Sequence, residues 1–239
     1  MSLVFDIETI GSDFDSLDEV TRHNLTRWIK RHAGDNEKSY NAMLKDLKEG
    51  LGFSPLTGEI VALGVLDTEM NKGAVYFSAP GESIADFEKG GFLFKQKTEP
   101  EMLESFWQGA KKYNEFVSFN GRCFDVPFLA IRSAAHKIRP SKDLMSRRYL
   151  SGQSFNAKHI DLLDQLSFYG AVRRKGSLHL YCSAFNIKSP KAEGITGDDV
   201  GRLFKEGKYK EIAEYNSWDL IANRELYDVW KKYINLGNF

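Results

Sequence analysis

The sequence predicts an α/β domain in which a mixed sheet of five strands is flanked by helices. Short apolar runs bounded by turn residues predict the strands, and apolar stripes at helical spacing predict the helices. Three strands come first, then helix and strand alternate, and helices close the chain, an order typical of layered α/β domains. No repeat or linker-like segment divides residues 1–239, so we expect a single domain.

The first strand is predicted at residues 3–8, and a helical insertion follows it. The strand reads Leu-Val-Phe-Asp-Ile-Glu. Because side chains alternate between the two faces of a strand, Asp6 and Glu8 point to one face. Residues 11–50 are polar with balanced charges, and they carry a helical apolar stripe that includes Trp28. We therefore expect this segment to be helical rather than a flexible tail.

The second and third strands are predicted to form a hairpin. Residues 58–66 and 73–78 are apolar runs, and the turn lies at residues 70–72. The first three strands are expected to pair antiparallel. A helix should follow, because Thr98 and Glu101 have the spacing of a capping box.

Two more strands and several helices complete the predicted fold. Residues 116–120 form the fourth strand, and after a loop at Gly121 the side chains of Phe124 and Phe128 recur at helical spacing. Residues 159–164 predict the fifth strand. The rest is mainly helical, with helices expected at residues 178–185, 198–205 and 210–233.

Composition limits the classes of function. Lysine plus arginine equals aspartate plus glutamate at 33 each, which argues against a protein that coats long duplexes. An enzyme that holds a few nucleotides at a strand end is compatible with this balance. No apolar run has membrane length and no leader pattern opens the chain. Cys123 and Cys182 are too few for a disulfide framework, so we expect a cytoplasmic protein.

Four carboxylates and one tyrosine are the candidate catalytic and metal-binding residues. Asp6 and Glu8 share one face of an apolar strand, where like charges repel unless a cation compensates them. Asp125 begins a helix, where an acid also stabilises the helix dipole without any further role. Asp219 follows Tyr215 by four residues on one helix face; an exposed acid beside a core tyrosine is the alternative. Together these oxygens predict hard divalent cations and phosphodiester cleavage.

The segments that carry these residues resemble a known superfamily. Phe-Asp-Ile-Glu-Thr at residues 5–9, Asn-Gly-Arg-Cys-Phe-Asp at 120–125 and Tyr-Asn-Ser-Trp-Asp at 215–219 resemble the three exonuclease motifs of the DEDD superfamily. These are DnaQ-like 3′–5′ exonucleases with a ribonuclease H-like fold. The tyrosine is similar to that of the tyrosine-bearing (DEDDy) branch, because Glu214 stands where the other branch has histidine.

Two further segments resemble a more specific group of relatives. Residues 160–164 and 174–178 are similar to segments of the stand-alone relatives of the proofreading domain of family B DNA polymerases. The resemblance covers the chain except residues 11–50, the insertion after the first strand.

The resemblance implies a metal-dependent 3′–5′ exonuclease that acts on single-stranded 3′ ends, with DNA favoured, and releases nucleoside 5′-monophosphates. Two cations, Mg²⁺ or Mn²⁺, are implied, the first held by Asp6, Glu8 and Asp219 and the second by Asp6 and Asp125, directly or through water. Because a tyrosine has an ordinary pKa of about 10, we assign Tyr215 to orienting the attacking water rather than to removing its proton.

The substrate contacts are predicted from position alone. Thr9 and Ile10 follow the first motif and are candidates to touch the terminal nucleotide. Asn120 and Phe124 are candidates to touch the strand, the ring by base stacking, although core packing is the alternative for Phe124. The basic run that ends at Lys175 suits phosphates, and a solvated loop is the alternative.

Two other functions are compatible with the sequence. The same chemistry could act on RNA or on short oligonucleotides, which matched DNA and RNA substrates would distinguish. A non-catalytic module could instead bind nucleic acid or a polymerase in trans, in the context of proofreading or DNA repair. Binding without turnover, unaffected by loss of the metal ligands, would indicate such a module.

Overall fold

A mixed seven-stranded sheet forms the centre of the molecule. The structure, a computed structural model, describes residues 1–190, 194 and 196–236. The strands are β1 (Ser2–Gly11), β2 (Gly58–Asp67), β3 (Lys72–Phe77), β4 (Phe87–Lys89), β5 (Phe92–Gln96), β6 (Glu115–Ser118) and β7 (Lys158–Asp161). Their order across the sheet is β4-β5-β3-β2-β1-β6-β7, so β1 lies well inside it.

Both parallel and antiparallel pairs occur in this sheet. Strands β1, β2 and β3 pair antiparallel in succession, which confirms the predicted hairpin. Strands β6 and β7 continue the sheet parallel to β1, since each is reached through a crossover. This arrangement, an α/β fold with helices flanking a mixed sheet, is consistent with the ribonuclease H-like fold that the sequence predicted.

The predicted strand number of five was too low. Strands β4 and β5 extend the sheet beyond β3, with β5 parallel to β3 and β4 antiparallel to β5. Gly90 and Gly91, both with positive φ, make the turn between them. The alternation Phe92-Leu-Phe-Lys-Gln and the glycine pair are the sequence signals for this hairpin.

Helices cover both faces of the sheet. The α-helices among the described residues are α1 (Glu19–Ala33), α2 (Glu37–Gly50), α3 (Glu99–Ala110), α4 (Asp125–Ala135), α5 (Leu162–Leu166), α6 (Leu178–Ala184), α7 (Val200–Lys205) and α8 (Tyr209–Val229). The predicted helical insertion is confirmed, because α1 and α2 occupy most of it. The expected capping box at Thr98 and Glu101 is also present at the start of α3.

The sheet separates two apolar clusters, and β1 contributes to both. Phe5 and Ile7 pack with α3 and α4 on one face. Val4 packs with α7 and α8 on the other face. Because Asp6 and Glu8 share the alternation of Val4, they point towards α8. Among the described residues, no helix combines the length and the apolar character needed to cross a membrane.

Candidate active site

The first two acids lie on β1, where the strand passes under α8. Glu8 is buried and Asp6 is partly buried. Asp6 is directly opposite Gly64 of β2, and the pairing register shifts between Glu8 and Thr9. The shift arises in β2, because Glu8 pairs with Ala62 and Thr9 with Ile60, which leaves Val61 of β2 as the extra residue. Bulges of this kind are common beside active sites. Strand β1 itself stays paired on both sides of the bulge and holds the two carboxylates firmly.

Helix α8 contributes Tyr215, Asn216 and Asp219, all buried. The Asn216 Nδ2 donates to Asp6 Oδ2 at 2.8 Å. This approach requires a glycine in β2, because a Cβ on Gly64 would lie 2.0 Å from Asn216 Oδ1. The contact orients Asp6 and joins the helix to the strand.

Asp125 reaches the same place from the other side of the sheet. It is the first residue of α4 and is buried. Its Oδ1 accepts a hydrogen bond from the Ile7 backbone N–H at 3.2 Å. The helix-start position that offered a purely structural explanation thus also places this carboxylate beside β1.

Asp161, which was not among the predicted site residues, fixes the second motif. Its carboxylate accepts hydrogen bonds from the backbone N–H groups of Asn120 at 3.0 Å and Arg122 at 2.9 Å. It also accepts from Leu163 N–H at 2.9 Å as the N-cap of α5. Asn120 is held at a φ of +62° in this loop. The sequence signal is an aspartate directly before a helix.

The acids line a single cleft of about 460 Å³. One oxygen each from Asp6, Glu8 and Asp219 lie within 4.8 Å of one another, as expected of groups that can share a cation. The other residues that line the cleft include Phe119, Asn120, Phe124, Asp125, Leu163, Gly176, Ser177, His179 and Tyr215. Among the described residues, this lining contains four carboxylates and no lysine or arginine.

Burial and mutual repulsion raise the pKa values of the acids. Burial, followed by the charges of Asp125, Asp219 and Glu8, raises the pKa of Asp6 well above its ordinary value. Burial and then Asp219 do the same for the pKa of Glu8. Burial raises the pKa of Asp125 to about 7, although backbone hydrogen bonds oppose the change. Their closeness therefore disfavours the charged forms of these carboxylates, and a divalent cation, which such oxygen donors suit, would favour them.

The predicted substrate residues are not all in the cleft. Asn120 and Phe124 line it, and the Phe124 ring also contacts Phe128 at 5.2 Å between centroids. Thr9 instead donates its hydroxyl to the Gly52 carbonyl at 2.7 Å. Ile10 packs against the apolar core, outside the cleft lining. Lys175 is exposed and directly precedes the cleft residue Gly176.

A comparison with known protein families shows to which family the chain belongs. The profile of a family described as predicted 3′–5′ exonucleases related to the exonuclease domain of PolB matches residues 84–236, which is more than half of the chain. The chain belongs to this family. It is accordingly an exonuclease by family. The matched range includes Asp125 and Asp219 and leaves out β1, which carries the first two acids.

A solved structure extends the likeness to the part of the chain before residue 84. The family B DNA polymerase from the hyperthermophilic archaeon Pyrobaculum calidifontis matches 96% of this chain with a TM-score of 0.58 and 15% sequence identity. The match covers 24% of that polymerase, so the likeness concerns the fold of one portion of it. No curated protein matches the chain.

Proposed function

We propose that this protein is a metal-dependent 3′–5′ exonuclease of the tyrosine-bearing branch that acts on single-stranded 3′ ends, with DNA favoured. In the proposed reaction, water attacks the terminal phosphodiester at phosphorus and the bond to the 3′ oxygen breaks. The products are a nucleoside 5′-monophosphate and a strand with a new 3′-hydroxyl. The relation of the family to a DNA polymerase domain supports DNA as the substrate.

The acidic lining of the cleft is the observation that carries this proposal. A phosphodiester is itself negative and would be repelled by four carboxylates, and the described residues of the lining include no lysine or arginine. Asp6, Glu8 and Asp219 would hold one cation, and Asp6 with Asp125 a second. Mg²⁺ or Mn²⁺ bound there would supply stabilisation of charge at the phosphorus and at the leaving oxygen. Neutralisation by cations explains why these acids are placed together.

Tyr215 and Asn216 have positioning roles in this proposal. Burial, followed by the charge of Asp219, raises the pKa of Tyr215 above its ordinary value of 10. The hydroxyl therefore keeps its proton at neutral pH and can orient the attacking water by a hydrogen bond, but it cannot act as the base. Asn216 fixes the rotamer of Asp6 through the 2.8 Å contact.

The cleft offers a place for the terminal nucleotide beside the acids. Asn120 and Phe124, which line it, are the proposed strand contacts, with the ring of Phe124 as a stacking surface. Contacts of the substrate with Thr9, Ile10 and Lys175 stay predictions. A polymerase partner in trans also stays a prediction.

Hydrolysis of a labelled single strand with Mg²⁺ or Mn²⁺ tests the proposal. Asp219→Asn should lower the rate at least about 100-fold, more than the loss of a group that only orients a ligand. The matched control is Asp228→Asn on the same helix, whose exposed side chain pairs with Arg224. The control should cleave like the wild type. Equal rates for all three proteins would overturn the proposal.

A further inference from the structure

A surface rich in exposed cations and aromatic rings adjoins the acidic cleft. We propose that Tyr149, Phe168 and the basic run Arg173–Lys175 bind the single-stranded nucleic acid that extends out of the cleft. The inference deepens the function proposed above and rests on it. It supplies cations beside a cleft whose described lining residues include no lysine or arginine.

The aromatic rings are presented to solvent although they are large and apolar. Tyr149 is 59% exposed and Phe168 is 60% exposed. The Tyr149 ring lies 4.6 Å from the ring of Tyr169, and the Arg148 guanidinium lies 5.9 Å from that ring. Exposed rings beside cations are the surface on which unpaired bases stack, because every base has a flat apolar face.

The backbone beneath these rings is held in an unusual conformation. Phe168 and Tyr169 have φ values of +50° and +56°, which residues other than glycine rarely adopt. Two hydrogen bonds fix the Tyr169 hydroxyl: Gln165 Nε2 donates at 2.9 Å and Leu150 N–H at 3.4 Å. A strained turn kept by several contacts is typical of functional positions.

The charges of this surface are unbalanced. Residues 147–149 and 168–175 contain five cations and no acid. Of these five cations, only Arg148 has an ion-pair partner among the described residues, through Nε to Asp164 Oδ2 at 2.8 Å. Arg147, Arg173 and Arg174 are exposed. Because the whole chain has a net charge of zero, this concentration of positive charge is local and complements phosphates.

The surface is continuous with the cleft at two points. Leu163 lines the cleft, and its neighbour Asp164 binds Arg148. Lys175 immediately precedes Gly176 and Ser177, which line the cleft. A strand whose 3′ end occupies the cleft can therefore continue over this surface. A strand of two nucleotides held at the acids would contact less of this surface than a longer strand.

Fluorescence anisotropy of the full chain with a labelled 12-nucleotide oligo-dT or oligo-rU, in EDTA to prevent hydrolysis, measures this binding. Arg173→Ala/Arg174→Ala should raise the Kd about tenfold and reduce the slope of log K against log salt by about 1.4, since each cation on a single strand contributes about 0.7. Tyr149→Ala should weaken binding about tenfold. Because stacking and phosphate contacts do not read the 2′-hydroxyl, both oligonucleotides should respond alike.

The matched control is Lys111→Ala/Lys112→Ala, which removes two exposed cations at the opposite end of β6. It should bind like the wild type. In hydrolysis with Mn²⁺, the arginine variant should raise KM for the 12-nucleotide strand, with kcat and dinucleotide cleavage unchanged.

The outcomes separate this inference from the proposed function. Wild-type binding of the 12-nucleotide strand by all variants would overturn the inference and leave the exonuclease intact. A wild type that fails to bind the strand would also overturn it. If binding depends on Arg173 and Tyr149 but the wild type does not hydrolyse the strand, the proposed binding surface is supported and the proposed exonuclease activity is contradicted.

Discussion

Gly64 is the position where one methyl group should disturb both the fold and the site. A Cβ there would lie 2.0 Å from Asn216 Oδ1 and 2.5 Å from Leu220 Cδ1, far closer than the 3.4–4 Å of ordinary contact. Helix α8 must move away from β2, or Asn216 must turn and release Asp6. We therefore expect Gly64→Ala to destabilise the protein by about 3 kcal/mol, from overpacking and a lost hydrogen bond to a charged group.

Thermal and urea unfolding measure this cost. A loss of about 3 kcal/mol should lower Tm by about 6–12 °C in a domain of this size. Cleavage by the folded fraction should also fall, because Asp219 and Tyr215 move with α8. Asn216→Ala should partly rescue Gly64→Ala, since the nearest clashing atom is then gone.

The control for this prediction is Gly109→Ala in α3. A Cβ at Gly109 meets nothing within 4 Å. Alanine is a better helix former than glycine, so this variant should be unchanged or more stable by about 0.5 kcal/mol. If Gly64→Ala had the same Tm as Gly109→Ala, the proposed close packing of α8 on β2 would be wrong.

Two further predictions concern buried polar groups. Asn216→Ala should lower kcat about 10- to 100-fold while circular dichroism stays unchanged, as is usual for groups that orient metal ligands. Asn223→Ala is the control, because that buried amide has no hydrogen-bond partner in the described structure. An equal loss of kcat in both variants would contradict the role of Asn216. Burial lowers the pKa of His159 from 6.5 to about 4. Between these pH values the unfolded chain binds more protons at His159 than the folded chain does, so the contribution of His159 to stability is lost as pH falls from 6.5 to 4. Urea unfolding should then show the wild type losing about 3 kcal/mol relative to His159→Gln over this range, and a constant difference would refute the assignment.

The neutral state assigned to His159 follows from its contacts. The Leu144 carbonyl can only accept, so Nδ1 carries the proton that is donated to it at 3.1 Å. Nε2 then accepts from the Ser118 hydroxyl at 2.8 Å. Glutamine cannot reproduce both contacts, so the informative quantity is the pH dependence of the difference, not its value at one pH.

The fold and the candidate metal ligands could be predicted because their signals are local. The alternation in β1 places Asp6 and Glu8 on one face of the strand, and the helical period places Tyr215 and Asp219 on one face of α8. Strand alternation and turn residues likewise predicted the hairpin of β2 and β3. The hairpin of β4 and β5 was missed although its signals are local, because the two strands are short.

Contacts between distant segments could not be read from the sequence. Asn216 acts on Asp6 across 210 positions of chain, and nothing near either residue encodes that meeting. Asp161 holds the loop at Asn120 from 41 positions away. The predicted contacts at Thr9 and Ile10 relied on adjacency to Glu8, but the Thr9 hydroxyl bonds to the Gly52 carbonyl and Ile10 packs against the apolar core. Long-range packing therefore decides which neighbours of a motif reach the cleft.

The polarity and chemistry of cleavage test the central claim most directly. One strand carries a label on its 3′-terminal nucleotide and a second carries it on its 5′ end, and both are followed through the first turnovers with Mg²⁺ or Mn²⁺. We predict immediate release of a labelled nucleoside 5′-monophosphate from the 3′ end, gradual shortening of the 5′-labelled strand, and neither with EDTA or with Asp6→Ala. Release from the 5′ end, internal cuts, or the same products from Asp6→Ala would contradict the account.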